Sequence, residues 1–532
     1  MSSLDWIILV FYFAGIVFLG IWLGKRQKSS EDYFLGGRKQ GSFLVASSLA
    51  ANQVSAISLI GAPAFVALKP GGGLKWLQYE FAIPLAMIPI MVFLVPLYRK
   101  LSGASVYEYA ERRFGLSVRL TLSAVFMLSR GLATGVALYA AALVLAVCLD
   151  LPLIATILIV GIIAILYTTI GGIMADIYSD VIQLFVLWFG TVLAIIISMR
   201  LSGGFSKIMP MISPERRMTI DFSHHGFGDG STYSLLPMLI GAFFLYISYY
   251  GCDQSQAQRL LTTPDINTAQ RSLMINGLIR FPIVLTYIIF GLLLAGILAG
   301  NPEWAKQVPT DDPDRLVPIF ILEHFPKGII GLVMAGIFAA VMSSVDSALN
   351  SLSAVTMTDF VARFKKSVQS DEKRFLSMSR NATAVWGIFC VISGILVARS
   401  SKTVIEVVNM IGSAFYGPIL AVFILGVLVR KVDSKDVITG LIAGVITNVS
   451  FWLFAPKVSW LWWNPIGFFS TALVSILSGI MFNTKSDLDK TLWMLDFKGE
   501  KGKSWLFYLY DIKVLILILM FILILGITYV IG

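Results

Sequence analysis

The hydrophobic residues of this chain come in long blocks separated by short polar segments. Residues 5–23, 152–170 and 514–531 each run close to the ~20 residues that a helix needs to cross a hydrocarbon layer. About 14 such blocks can be delimited, near 5–24, 43–67, 76–98, 117–149, 152–170, 175–199, 235–256, 272–299, 328–358, 381–399, 403–429, 437–455, 460–482 and 507–531. All are of helix length, and helices satisfy their own backbone polar groups in lipid. The pattern therefore predicts an all-α membrane protein in contact with the lipid bilayer.

Composition supports the same class. Of 532 residues, 57% are hydrophobic and only 14% are charged, whereas soluble domains average about 25% charged residues. The three cysteines, Cys148, Cys252 and Cys390, are scattered and form no metal or disulfide framework. No nucleotide-binding or kinase signature is present, so we expect neither an enzyme nor a bound organic cofactor. Any energy that is used must come from an ion gradient.

The placement of positive charge predicts the orientation. One set of alternate loops, which includes Lys25, Arg26, Arg112 and Lys365, carries about twice as many Lys and Arg residues as the opposite set. The positive-inside rule puts this set in the cytoplasm and both termini outside. The net charge of +10 then needs no nucleic-acid partner. We expect a multi-pass protein of the cell membrane.

Two spans are interrupted by polar residues. The second contains Asn52 and Gln53 among the serines of 47–58, and the seventh contains the run 249–254. Small residues also serve tight helix packing, which is the alternative interpretation. Interrupted helices at matching positions in two halves of a chain are typical of transporters with an inverted repeat and a site at the midplane. The pairing favours the transporter interpretation.

The ninth span carries a polar face inside an apolar helix. At 100° per residue, Ser343, Asp346, Ser347 and Asn350 share one side. Hydroxyl and carbonyl oxygens are hard ligands that suit a small cation. Alternatively, serines in a helix donate a hydrogen bond to the carbonyl four residues earlier. The clustering favours a cation site.

Other ionisable residues fall within predicted spans. We expect Asp176 at the cytoplasmic interface, while Asp180 lies one turn deeper, where a carboxylate is costly unless it is paired or ligating. Glu80, Arg130 and Arg280 are further buried candidates. For each of them, a structural ion pair and a contact to a substrate remain open.

Five motifs carry a family resemblance: residues 30–38, 167–183, Gln258-Arg259, Ser343-Ser344 and 417–423. In this order they resemble the sodium/solute symporters, which include bacterial sodium/galactose and sodium/proline symporters. The resemblance covers nearly the whole chain. It implies a LeuT-like core of two inverted five-helix repeats at 43–429, with repeat one at about 43–199 and repeat two at about 235–429. Residues 1–42 would form an extra helix and the first cytoplasmic loop, and 430–532 the extra C-terminal helices.

The resemblance also implies sites. Sodium, the coupling ion, would be held by the carbonyl oxygens of Ala51, Val54 and Ala340 and by the hydroxyls of Ser343 and Ser344. Asp180 matches an acidic position implicated in ion handling. Together with Asp346, it is a candidate for a second cation site.

The substrate positions match less closely. Glu80 matches a sugar-binding glutamate and Tyr249 an inner-gate tyrosine, whereas Ser58, Tyr246, Arg280 and Asn409 replace other residue types. Galactose is therefore in doubt. Arg280 suits a bidentate grip on a carboxylate, so both sugars and carboxylate-bearing metabolites remain open.

The predicted function is sodium-coupled import of a small organic solute by alternating access. A proton-coupled symporter, with Asp180 or Asp346 as the titrating group, is one alternative. A solute sensor that barely transports and a membrane-embedded lipid enzyme are two others. The solute, the sodium stoichiometry and the oligomeric state stay open.

Overall fold

The computed structural model of the chain is all-helical, as the hydrophobic pattern predicts. It describes residues 2–24, 35–54, 56–99, 105–168, 172–309, 312–365, 367, 371–399, 402–484 and 509–532. The principal helices are α1 (Ser3–Gly24), α2 (Ser42–Gln53), α3 (Ala56–Leu68), α4 (Leu74–Tyr98), α5 (Glu108–Phe114), α6 (Leu116–Leu149), α7 (Leu153–Thr168), α8 (Gly172–Ser202), α9 (Pro237–Cys252), α10 (Gln254–Leu261), α11 (Ile266–Gly300), α12 (Leu316–His324), α13 (Ile329–Val355), α14 (Glu372–Val397), α15 (Val404–Leu428), α16 (Ser434–Phe454), α17 (Trp463–Met481) and α18 (Ile512–Ile531).

Most of these helices are long enough to cross a membrane. Within the described residues, 10 helices have the length and apolar composition of a span, and α2 with α3 makes up to 11 as one bent pair. Shorter apolar helices at Ser3–Ile16, Leu153–Ile165 and Pro237–Cys252 occupy further predicted spans. The total of about 14 spans stays a prediction.

Both interrupted spans are broken helices. α2 ends at Gln53, Val54 has φ −88° and ψ 68°, and α3 continues at an angle of 50° to α2. α9 ends at Cys252, where Asp253 takes an extended conformation and caps α10 by accepting the Ser255 N–H at 2.8 Å. Each break therefore lies within a polar run of the sequence.

The carbonyls freed at the second break have partners. Tyr98 donates its hydroxyl to the Gly251 carbonyl oxygen, and Tyr107 donates to that of Cys252 at 3.2 Å. Because these carbonyls already accept hydrogen bonds, they are less available to a cation than unpartnered carbonyls would be.

The helix contacts follow the predicted inverted repeat. α2 packs against α11 as α9 packs against α4, and α6 packs against α15 as α8 packs against α13. One set comprises α2 with α3, then α4, α6, α7 and α8, and the other comprises α9 with α10, then α11, α13, α14 and α15. When each helix is replaced by the one in the same place of the other set, the first contact of each pair becomes the second. The remaining helices lie outside the two sets: α1 contacts α8 and α13, α16 and α17 contact α15, and α18 contacts α4 and α11.

Asp5 fastens α1 to the helix of the predicted sodium site. Its buried carboxylate accepts the N–H groups of Gly328 and Gly331 at 2.6 and 2.9 Å, at the N-terminus of α13. A Cβ on Gly331 would lie 2.3 Å from the Asp5 carbonyl oxygen. A carboxylate at this position satisfies backbone donors that helix geometry leaves unpaired.

We predict that Gly291→Val destabilises the fold, because a Cβ there would lie 2.7 Å from Pro63 Cα, where α11 crosses α3. Overpacking of this kind costs about 1–3 kcal/mol. The matched control is Gly526→Val in α18, where a Cβ meets nothing within 4 Å. Thermal unfolding in detergent checks this: the midpoint should fall for Gly291→Val alone. Equal midpoints would contradict the close crossing.

Candidate functional site

A polar cavity lies between α3, α4, α6, α9, α11 and α15. Its empty volume is about 940 Å³, including space that opens to solvent. All six predicted substrate residues line it: Ser58, Glu80, Tyr246, Tyr249, Arg280 and Asn409. Residues that the sequence did not single out also line it, among them Trp76, Thr134, Tyr287 and Tyr416.

One wall is aromatic. The Tyr79 ring lies 5.4 Å from that of Trp76 and 5.1 Å from that of Tyr246, between ring centroids. The Tyr79 hydroxyl donates to the Asn409 side chain at 3.2 Å, and Asn409 donates to the Ile405 carbonyl at 2.7 Å. This wall offers apolar ring faces beside oriented hydrogen-bonding groups, a combination common in small-molecule sites.

Arg280 and Glu80 form a buried ion pair. Arg280 donates from Nε at 3.0 Å and from Nη2 at 3.2 Å to the two oxygens of Glu80. Arg280 Nη2 also reaches the Tyr246 hydroxyl at 3.4 Å. Among the described residues, its third nitrogen, Nη1, has no hydrogen-bond partner. The structural pair therefore exists, and it leaves one donor of a cavity-lining arginine uncommitted.

Arg130 is less well satisfied. Its Nη2 lies 3.5 Å from the Asn52 side-chain oxygen, and its Nη1 lies 4.0 Å from Asp253 Oδ2. Its Nε is buried without a hydrogen-bond partner in the part of the chain that the structure describes. A buried guanidinium held this loosely is costly unless an anion joins it.

The charges of the cavity wall do not cancel. Arg130 and Arg280 carry two positive charges and Glu80 one negative charge, which leaves +1 among the charged residues that line it. The Asp253 carboxylate, which is 4.0 Å from Arg130 but does not line the cavity, offsets part of this charge.

Tyr249 lines the cavity beside the first helix break. Its hydroxyl donates to the Asn52 carbonyl at 3.4 Å and accepts from Gln256 at 2.7 Å. Tyr250 next to it donates to the Gln53 side chain. These contacts tie α9 and α10 to the end of α2, so the tyrosine spans both helix breaks.

The residues predicted to bind sodium lie around the first break. α13 packs against both α2 and α3, and Ser344 lines the cavity. The Ser344 hydroxyl donates to the Ala340 carbonyl at 2.9 Å, which is the back-bond considered above. A donating hydroxyl keeps its oxygen lone pairs, so this bond leaves Ser344 able to act as a ligand. Ala51 and Val54 are buried at the break, and the Ser343 side chain lies outside the described atoms.

Asp180 belongs to a buried ion-pair cluster away from the cavity. Its Oδ2 accepts from Ser48 at 2.5 Å and from Arg259 at 3.0 Å. Arg259 also pairs with Asp176 at 2.9 Å and donates to Ser347 at 2.8 Å. Asp176 is buried inside the helix bundle by this ion pair, with 4% exposure, and its expected position at the cytoplasmic interface stays a prediction.

Asp346 lies one residue before Ser347 on α13 and is likewise buried, with 4% exposure. Neither Asp180 nor Asp346 lines the cavity. Both acids are therefore buried in the helix bundle outside the lining of the cavity.

A further ion pair joins α3 to α15 outside the lining of the cavity. Lys69 at the end of α3 lies 3.1 Å from Glu406 in the first turn of α15, and the Tyr233 hydroxyl donates to Glu406 at 2.5 Å. Asp314 caps α15 by accepting the Val404 N–H at 2.9 Å. Burial raises the pKa of the Asp314 carboxyl to about 7, against the opposing effect of this hydrogen bond. Nothing in the local sequence around Lys69 or Glu406 indicates that these two side chains form an ion pair.

We predict strong energetic coupling between Glu80 and Arg280. Breaking a buried pair by removing one partner costs about 3–5 kcal/mol, so Glu80→Gln and Arg280→Gln should each lower the unfolding midpoint. The double variant should be more stable than the sum of the two losses allows, because no charge is left unpaired. Thermal unfolding of all four proteins measures this. Additive losses would contradict the pair.

Two broken helices around a polar cavity, in paired five-helix sets, define a secondary transporter of the LeuT-like fold. The sequence profile of the Sodium:solute symporter family matches residues 33–444, so the chain belongs to that family.

Known transporters are similar in sequence to most of this chain. The "Sodium/sialic acid symporter NanT" of Aliivibrio fischeri is 28% identical over 92% of this chain and 95% of its own length. The human "Sodium-coupled monocarboxylate transporter 1" is 31% identical over 81% of this chain and 69% of its own. A solved structure, described as the substrate-bound outward-open state of a sodium-coupled sialic acid symporter with a novel sodium site, superposes with a TM-score of 0.79. It is 26% identical and covers 90% of this chain and 98% of that one.

These findings confirm the predicted family, fold class and activity. The protein is a multi-pass membrane transporter that performs sodium-coupled symport of a small organic solute, and it is not an enzyme. Sodium and the solute are its binding partners.

Proposed function

We propose that the protein couples sodium entry to the uptake of a small organic anion, such as a carboxylate-bearing sugar or a short monocarboxylate. The observation that carries this proposal is the pair of arginines on a buried cavity wall: Glu80 pairs closely with Arg280, whereas Asp253 lies 4.0 Å from Arg130. One relative described above is named a sialic acid symporter and another a monocarboxylate transporter, which supports an acid as the cargo.

The wall suggests how such a solute is held. Arg130 and the uncommitted Nη1 of Arg280 bind the carboxylate, since a guanidinium matches its geometry. Glu80 and Tyr246 orient Arg280 through their hydrogen bonds. Ser58 and Asn409 contact polar groups on the solute body, and Trp76 and Tyr79 pack against its apolar face. Tyr249 moves aside when the solute leaves.

Sodium is the coupling ion in this proposal. The carbonyl oxygens of Ala51, Val54 and Ala340 and the hydroxyls of Ser343 and Ser344 bind it between the first break and α13. Occupancy fixes the angle between α2 and α3, which places Ser58 and Gln53 toward the solute. Because one ligand pre-organises the site of the other, the two bind with positive coupling. Each sodium charge that crosses with the potential releases about 2.3 kcal/mol per 100 mV.

Asp180 and Asp346 are the proposed groups for a second cation. With Asp176 and Arg259, Asp180 forms a cluster whose formal charge is −1. A buried negative charge of this kind suits a further sodium ion or a proton.

Residues 43–429 form the transport core in this proposal, with 1–42 and 430–532 as flanking segments. The greater number of Lys and Arg residues in alternate loops supports a cytoplasmic location of those loops, with both termini outside.

A ligand panel tests the anionic solute. Purified protein is heated with sialic acid, pyruvate or galactose, each with and without sodium. One of the acids should raise the unfolding midpoint only when sodium is present, because bound ligands stabilise the folded state, and neutral galactose should not. Arg130→Gln should remove the shift, whereas Arg130→Lys keeps the charge and should retain part of it. A shift with galactose alone would contradict an anionic cargo.

A second experiment tests the sodium site. Ser343→Ala with Ser344→Ala should abolish sodium-dependent uptake into proteoliposomes, because two of the five proposed ligands are lost. The matched control is Ser393→Ala in α14, whose hydroxyl makes the same back-bond, to Phe389 at 3.0 Å, away from the first break. Sodium-dependent uptake that persists in the double variant would show that the site is wrong. Uptake driven by a pH step in sodium-free buffer would favour proton coupling.

A further inference from the structure

Asp253 stands at the break between α9 and α10 with its two oxygens in different roles. Oδ1 accepts the Ser255 N–H at 2.8 Å and the Ser255 hydroxyl at 2.6 Å, which caps α10. Oδ2 faces Arg130 Nη1 at 4.0 Å. The residue is buried, with 5% exposure.

This distance sets the pair apart from other buried pairs in the chain. Arg280 and Glu80 lie 3.0 Å apart, Arg259 and Asp176 2.9 Å, and Arg119 and Asp359 2.5 Å. A pair that only stabilised the fold would be expected at similar contact distance, since a buried charge gains most from a direct hydrogen bond. The Arg130 guanidinium is therefore near a carboxylate that it does not engage fully.

The position of Asp253 lets a hinge movement close the gap. Tyr249, one turn before the break, contacts the Asn52 carbonyl, and Gln256, one turn after it, contacts Tyr249. A shift of about 1 Å in α10 would bring Oδ2 to the 2.7–2.9 Å of a charge-assisted hydrogen bond. Arg130 lines the cavity from α6, which is a separate element.

We propose that Asp253 is an internal competitor for Arg130, whose approach displaces the carboxylate of the solute and promotes its release. The proposal rests on the anionic solute argued above. The solute and Asp253 cannot both occupy the same face of one guanidinium at full strength, so the cavity binds the acid while the pair is open and releases it as the pair closes. Asp253 is thus a positioning residue that sets the balance between affinity and turnover.

Asp253→Asn tests this directly, because the amide oxygen can still cap α10 while the charge is lost. Asp253→Ser is a second neutral variant with a good capping side chain. In saturating sodium, the Kd for sialic acid or pyruvate, whichever the unaltered protein binds, should fall about tenfold in both variants, and the exchange rate in proteoliposomes should fall with it. Asp253→Glu, which restores the charge, should recover part of the exchange rate.

The matched control is Asp265→Asn. Asp265 caps α11 in the same way, with Oδ1 accepting the Thr268 N–H at 2.7 Å, and it does not line the cavity. Its Kd and exchange rate should equal those of the unaltered protein.

The outcomes separate the two proposals. If the unaltered protein binds neither acid, the anionic cargo is wrong and this inference falls with it. If it binds an acid and both neutral variants keep the same Kd, or bind more weakly, the competitor role alone is overturned.

Discussion

Backbone polar groups have no water to bind inside a bilayer, and each one left without a partner costs several kcal/mol. This constraint makes the chain helical and makes every interruption of a helix expensive. The protein interrupts two helices, after Gln53 and at Asp253. At the second break, side chains provide the missing partners: Tyr98 and Tyr107 donate to the freed carbonyls, and Asp253 caps α10. At the first, the proposed partner is the transported sodium ion.

The same constraint governs charge. The cavity holds Glu80, Arg130 and Arg280 at a depth where an uncompensated ion is costly. Arg280 is paired within the protein, whereas Arg130 is held at longer distances. In the proposed function, an anionic solute completes the arrangement around Arg130. Sodium at the proposed site by the first break then supplies the positive charge that accompanies the anion across the membrane.

Two sets of buried ion pairs outside the cavity lining hold the broken helices in place. Lys69 with Glu406 joins α3 to α15, and Arg259 with Asp176 and Asp180 joins α8 and α10, with Ser48 of α2 and Ser347 of α13 bonded to them. Each set connects a broken helix to a continuous one. These pairs therefore fix how each broken helix packs against its continuous neighbour.

The sequence alone determined that this is a helical membrane protein, because the length of a hydrophobic segment is a local property that governs its insertion into the bilayer. It also located both helix breaks, since Asn52, Gln53 and Asp253 are too polar for lipid-facing helix. The resemblance supplied six substrate candidates that the fold then gathered around one cavity. Only the tertiary structure decided which charged side chains pair with each other. The partners in three of these pairs are far apart along the chain: Glu80 and Arg280, Lys69 and Glu406, and Arg130 and Asp253. The sequence around a buried carboxylate does not specify which basic residue will neutralise it. Asp176 shows the limit: its position in the sequence does not indicate Arg259, which approaches from another helix and pairs with it inside the bundle.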